Sequence, residues 1–181
     1  MGRSIRVRRV RVLGAAVAAL VGAWLVLALP GCAVATPMKT TSAWRDLPRE
    51  GADLTLALTF AELDPRTRAP FDQGTARMFE QLSNVDGLLA YSRRKRLFGD
   101  EVWTLTVWRD DAAHDAFVAS PLHREARKAG RVALVRTKFA IVSWPRAAGL
   151  PVWSDALSVL DGVSPTVHGS SREPVPASDG R

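Results

Sequence analysis

The chain has one cysteine, one tyrosine and three histidines in 181 residues. A single cysteine, Cys32, excludes a disulfide within the chain and excludes a thiolate metal cluster. Three scattered histidines provide no metal-ligand spacing, so neither a metal nor any other cofactor is expected. The sequence also lacks a phosphate loop, a G-x-G-x-x-G turn, a G-x-S-x-G elbow and an H-E-x-x-H helix. Acidic residues are missing from the leader, where Arg3, Arg6, Arg8, Arg9 and Arg11 lie. The whole chain has 25 basic and 18 acidic residues; without those five arginines the balance falls from +7 to about +2. A positive charge that disappears with the leader is no footprint for nucleic acid.

What is present begins with that leader. A cationic start, Met1 to Val12, precedes an uncharged run of 17 residues, Leu13 to Leu29 (LGAAVAALVGAWLVLAL). Such a pattern delivers the following chain outward, because the arginines hold the N-terminus inside. Three outcomes stay open. Leu29-Pro30-Gly31-Cys32 resembles a bacterial lipobox, in which the cysteine takes lipid and becomes the new N-terminus. Pro30 departs from the usual residue at its position. Ala33-Val34-Ala35 is an A-x-A site for ordinary secretion. An uncleaved anchor is the third outcome, although the run is slightly short of the roughly 20 residues of a comfortable span. Residues 1–35 are thus a leader, and the protein is expected outside the cytoplasm, membrane-anchored or secreted.

Residues 36–52 mix Pro, Thr, Ser and charge and read as a linker. Asp53 to Phe60 alternates strictly and predicts a strand. Pro70 to Leu82 predicts a helix, with Phe71, Met78, Phe79 and Leu82 on one face. Gly74 weakens that helix. Leu88 to Leu97 and Val102 to Trp108 predict an antiparallel hairpin across a short turn. The basic run Arg93-Arg94-Lys95-Arg96 in it reads as a solvated end that discourages edge pairing.

Asp110 is a natural N-cap for the next helix, whose buried stripe is predicted as Ala113, Ala116, Phe117 and Ser120. Pro121 opens another helix that stops at Gly130, and Lys138 to Trp144 predicts a fourth strand. A short helix from Ser154 to Leu160 closes the domain, which spans 53–161. Residues 162–181 read as a disordered tail. The order β-α-β-β-α-β gives an α+β, ferredoxin-like fold.

With these elements placed, the chain resembles the antibiotic-biosynthesis-monooxygenase-like family of dimeric α+β barrels. Val85-Asp86-Gly87-Leu88 stands where that family has a turn into its second strand. Leu105-Thr106-Val107-Trp108-Arg109-Asp110, running into Phe117-Val118-Ala119-Ser120-Pro121-Leu122-His123, is the stronger signal. The resemblance implies a homodimer in which two sheets pack face to face with helices outside. On that basis the large side chains Leu54, Leu56, Leu58, Trp103, Leu105 and Val107 should cover the helices. Thr55, Ala57, Thr59, Thr104, Thr106 and Trp108 should face a partner or a cavity. The resemblance also implies quinone-forming oxygenation without cofactor, or haem degradation. The latter needs an Asn, a Trp and a His that are absent here, with Phe117 and Arg127 near two of their places.

His123 is the sharpest candidate catalytic residue, since a histidine near neutrality could take a proton from a phenolic substrate. His114, off the buried stripe, reads as solvated. Trp108, Phe117 and Trp144 could line a pocket for a small apolar or aromatic ligand, and Tyr91 could donate to a bound oxygen. Core packing for the aromatics and helix capping for His123 are the competing explanations. Two functions follow: a membrane-tethered, cofactor-independent monooxygenase, or a non-catalytic lipoprotein using the barrel for dimerisation or ligand capture.

Overall fold

The computed structural model describes residues 32–48 and 50–168. The hydrophobic run Leu13–Leu29, Pro30, Gly31 and the last part of the tail lie outside the described residues. Among the described residues no helix is long and apolar enough to cross a membrane.

A central antiparallel sheet is built from β3 (Leu54–Leu63), β4 (Leu88–Arg96), β5 (Glu101–Trp108) and β6 (Leu134–Trp144). Three short strands join it: β1 (Ala33–Ala35), β2 (Lys39–Thr40) and β7 (Thr166–Val167). The order across the sheet is β1-β4-β5-β3-β6-β7, with β2 also on β4. Its helices are α1 (Ser42–Arg45), α2 (Ala69–Gln81), α3 (Asp111–Val118), α4 (Pro121–Gly130) and α5 (Trp153–Asp161). The fold is the expected α+β, ferredoxin-like one. Strand β6 starts at Leu134, ahead of the predicted Lys138.

The two faces of the sheet carry covers opposite to the expected ones. Leu54, Leu56, Leu58, Trp103, Leu105 and Val107 form one core, closed by Ala156 and Leu160 of α5 and by Met38, Trp44 and Leu47 of the N-terminal arm. The Thr and Ala face holds Trp108, against which Ala113 and Phe117 of α3, Met78 and Phe79 of α2, and Leu122 of α4 pack. The Thr and Ala face, expected to meet a partner or a cavity, is therefore the one on which α2, α3 and α4 lie, and the large-residue face is filled by α5 and the arm of this chain itself. Side-chain size does not reveal which element covers a face, because both covers are apolar.

Residues 36–52 are consequently not a plain linker. The backbone N–H of Thr36 donates to Arg93 O at 2.8 Å, and buried Thr41 donates from its hydroxyl to Leu88 O at 2.7 Å. Arg146 holds the carbonyls of Pro48 and Glu50. Trp153 of α5 donates to Ser92 at 3.0 Å, and Ser92 donates to Thr36 O, so one buried hydroxyl joins arm, sheet and helix. Ala33–Ala35, assigned to the leader, pairs with Arg94–Arg96. In the tail, β7 pairs with β6, and the imidazole of His168 bonds the Thr137 hydroxyl at 2.8 Å.

Gly74 is one of the points where α2 and α4 approach closely. A Cβ there would stand 3.3 Å from Ala129 Cβ, so glycine gives close helix packing in exchange for weaker helix propensity. Gly87 is under a stricter constraint. Its φ is +74°, and an added Cβ would meet Ala113 Cβ at 2.3 Å. Gly87→Ala is expected to destabilise by about 2 kcal/mol or more, combining left-handed strain with overlap. A thermal melt of the variant checks this.

Candidate functional site

The candidate residues gather where β5 hands the chain to α3 and α4. Asp110 caps α3 as expected, its carboxylate accepting from Ala113 N at 2.8 Å. That bond, with the adjacent Arg109 guanidinium, holds the Asp110 carboxyl below the usual carboxylate range. Ser120 caps α4 by accepting from His123 N at 3.2 Å, with Pro121 in the first turn. The stripe of α3 is narrower than predicted: Ala113 and Phe117 are buried, Ser120 is half-buried and Ala116 is exposed.

Trp108 is fully buried. Its indole N–H donates to Thr106 Oγ at 2.9 Å, and that hydroxyl donates to Ala57 O at 3.3 Å. The Phe117 ring lies 5.0 Å from Trp108, and the His123 ring lies 5.0 Å from Phe117. His114 meets Trp108 edge-on at 5.8 Å and is only 12% exposed, so it belongs to the aromatic row and not to solvent. Tyr91 joins the same cluster, edge-on to Phe79 at 5.9 Å, and is buried. Trp144 does not join. It pairs with Leu54, packs in the opposite core and donates to Gly149 O at 2.8 Å. The parity of β6 puts it on the far face.

The His123 ring nitrogen Nδ1 lies 3.1 Å from Val118 O. A carbonyl only accepts, so Nδ1 carries the proton and the neutral ring keeps its lone pair on Nε2. Burial pushes the His123 imidazole below its ordinary value; the Val118 bond opposes this, while Arg127 and His114 push the same way. The ring is therefore neutral at pH 7 and able to accept a proton.

Away from this row the helices cover the sheet incompletely. Ala57, Thr59, Thr104 and Thr106 are half-buried, and Phe139 and Ile141 beside them on β6 are 62% and 56% exposed. Together they are a partly covered strip of the sheet (the trough), with small residues along β3 and β5 and exposed apolar side chains along β6. It reaches the aromatic cluster through Ala57, and Leu122, next to His123, packs on that cluster too. A recess of about 260 Å³ opens at its end among Thr55, Ile141, Ser143, Asp53, Asp110 and Asp111. A larger recess of about 450 Å³ lies by Glu62, Arg66, Arg96 and Asp100, at the other end of the sheet and away from His123. Among the described residues no three His, Cys, Asp or Glu side chains converge as a metal set. Thr59, Thr104, Phe139 and Ile141 were not singled out individually as ligand contacts; strand alternation was the signal available for them.

Residues 56–129 match the family model for antibiotic biosynthesis monooxygenase (ABM). The match covers less than half of the chain and contains Trp108, Phe117 and His123. No curated protein matches the chain. Among solved structures, a protein of Fusobacterium nucleatum provisionally named a monooxygenase has a TM-score of 0.51 at 12% identity, over 59% of this chain and 47% of that one. One of Lactobacillus acidophilus, named in the same provisional way, has 0.49 at 13% identity, over 59% and 48%. SnoaB of Streptomyces nogalater, a cofactor-independent oxygenase, has 0.42 at 18% identity, over 51% and 92%. This chain spans about half the length of the first two. At such identities the likeness concerns the ABM-type fold alone.

Proposed function

We propose that this ABM domain binds a small aromatic or apolar molecule in the trough and oxidises it with O₂ without a cofactor, His123 acting as general base. The carrying observation is the His123 ring itself: Nδ1 is committed to Val118, leaving the Nε2 lone pair for an incoming proton. Removing a proton from an activated CH₂ of a phenolic substrate leaves a carbanion that O₂ can oxidise. In balance, CH₂ + O₂ becomes C=O + H₂O, carbon losing four electrons and oxygen gaining them. The domain's residues position the substrate and move one proton. The test is oxygen uptake by the purified protein across a panel of polyphenols and anthrones. Uptake with at least one of them is expected, and none across the panel would sink the proposal.

Because burial lowers the His123 pKa, activity should fall only below the ordinary histidine value near 6.5. Stability follows the same direction. The unfolded chain takes up this proton before the folded one does as pH falls. The contribution of His123 is thus full above pH 6.5 and is lost as pH drops through its folded pKa. A pH series of thermal melts, compared with His123→Asn, should show that loss in the parent alone.

Ligand capture without turnover is the second reading, and one observation favours it. Trp108 is sealed, while the open apolar side chains, Phe139 and Ile141, lie on β6. Thermal shifts by quinols without product would select it.

For placement, we propose export with retention at a membrane, through lipid on Cys32 or an uncleaved leader. Supporting this, Ala33–Ala35 is a strand of the domain and Cys32 O accepts from Leu97 N at 2.9 Å. Cleavage after Ala35 would remove that strand, whereas processing at Cys32 would keep it. Labelled palmitate should enter the parent and not Cys32→Ser; equal incorporation would exclude lipid on this cysteine. A homodimer, if formed, would have to use a surface other than the face closed by α5. Phe139 and Ile141 are apolar side chains available for it.

A further inference from the structure

The end of the sheet where β4 turns into β5 concentrates exposed apolar side chains. Leu97 is 46% exposed and Phe98 62% exposed at the hairpin tip. Val34 pairs with Lys95 beside them. Val132 stands at the same end, since the neighbouring Ala133 accepts from Asp64 N and Leu134 pairs with Leu63. Val167, opposite Arg136, completes the set. Five of the eight large apolar side chains exposed among the described residues therefore lie at one end, which scattered surface exposure does not explain.

Every carboxylate named at this end has an arginine partner, and Arg68 serves two of them. Glu62 pairs with Arg136, Asp64 with Arg66, Asp72 and Asp100 with Arg68, and Glu101 with Arg96. Lys95 and Arg131 are exposed and have no carboxylate partner among the described residues. The opposite end carries Asp53, Asp110 and Asp111 around its recess, with Arg109 pairing Asp110 and Asp86 there. The hairpin end is thus apolar-tipped with two unpaired cations beside it, and the carboxylate-lined recess lies at the other end.

The chain leaves the domain at the hairpin end. Cys32 O accepts from Leu97 N, and Leu29, the last residue of the uncharged run, is three residues earlier. Three Cα–Cα steps reach at most about 11 Å, so an anchor through that run or through Cys32 brings a bilayer to the hairpin tip.

We propose that this end is a membrane-docking surface, on which Leu97 and Phe98 enter the headgroup layer and Lys95 and Arg131 face anionic lipid. The proposal rests on the reading that the chain stays attached through its leader or Cys32. It fixes the orientation of the domain, with the acidic recess at the end away from the bilayer.

The test places a benzophenone side chain at Phe98, or at Asp86 on the far end, which is 93% exposed. The full-length chain is reconstituted in vesicles of phosphatidylcholine and phosphatidylglycerol at roughly 7:3, and illuminated. Position 98 should give about tenfold more lipid adduct than position 86, and Lys95→Glu with Arg131→Glu should lower it. Equal adduct at both positions, or none at 98, overturns the docking surface. Fractionation of cells separates the two failures. A chain recovered wholly in the soluble fraction defeats the tether and this proposal with it; a membrane-bound chain without adduct at 98 defeats the docking surface alone.

Discussion

His123→Ala is expected to lower oxygen uptake by about 10²–10⁴-fold, the range for loss of a positioned general base. The loss should fall on kcat with KM little changed, because the ring would act on the proton while Phe139, Ile141 and the threonines would hold the substrate. Folding should survive. His123 is half-buried, and the cap of α4 uses its backbone N–H, not its ring. The Val118 carbonyl lies at the end of α3 and can turn to water when the ring is removed. His123→Gln restores a polar side chain without a base near neutrality, so it should stay inactive while melting close to the parent. Activity retained in both variants would remove His123 from the mechanism. If activity is lost but the melt shifts as far, the ring is structural.

Trp108→Ala is expected to cost about 3–5 kcal/mol, as truncation of a fully buried aromatic usually does. The indole is the hub of its face. It touches Phe117 and His114, and its N–H is satisfied by Thr106. Removing it leaves a cavity beneath α3 and takes one partner from the Thr106 hydroxyl. Trp108→Phe retains much of the volume but abandons that hydrogen bond, and should cost about 1–2 kcal/mol. Trp144→Ala should also destabilise, but without changing ligand binding in the trough, since Trp144 packs on the opposite face. Denaturant melts with a ligand titration separate these effects. A Trp108→Ala chain as stable as the parent would mean that this cluster is not the core of the helix-covered face.

Much of the fold was legible in the sequence because it depends on local patterns. Strict alternation in Leu54–Phe60 and Val102–Trp108 fixed strand parity, and Asp110 and Pro121 marked helix starts that the structure contains, whereas Ser120, expected in the stripe of α3, is the cap of α4. Which face meets which cover was not legible. Both sides of the sheet meet apolar groups, and only tertiary contacts distinguish α5 and the arm from α2, α3 and α4. For the same reason residues 36–52 read as a linker. The Thr36 and Thr41 hydroxyls look solvated in sequence but bond sheet backbone and Ser92 in the fold.

The placement of the candidate residues was legible in part. Phe117 lies beside Trp108 as expected, and the His123 ring, argued from its chemistry alone, lies against Phe117. His114 was missed because helical periodicity put it off the stripe, while the adjacent strand end brought Trp108 to its edge. Trp144 was misplaced because the expectation ignored the register of β6 against β3.

Turnover under ¹⁸O₂ with the best substrate of the panel tests the central claim most directly. Oxygenation through a His123-generated carbanion predicts one labelled oxygen in the product and the other in water. A product whose new oxygen comes from solvent, or an unchanged substrate that still binds, would contradict it.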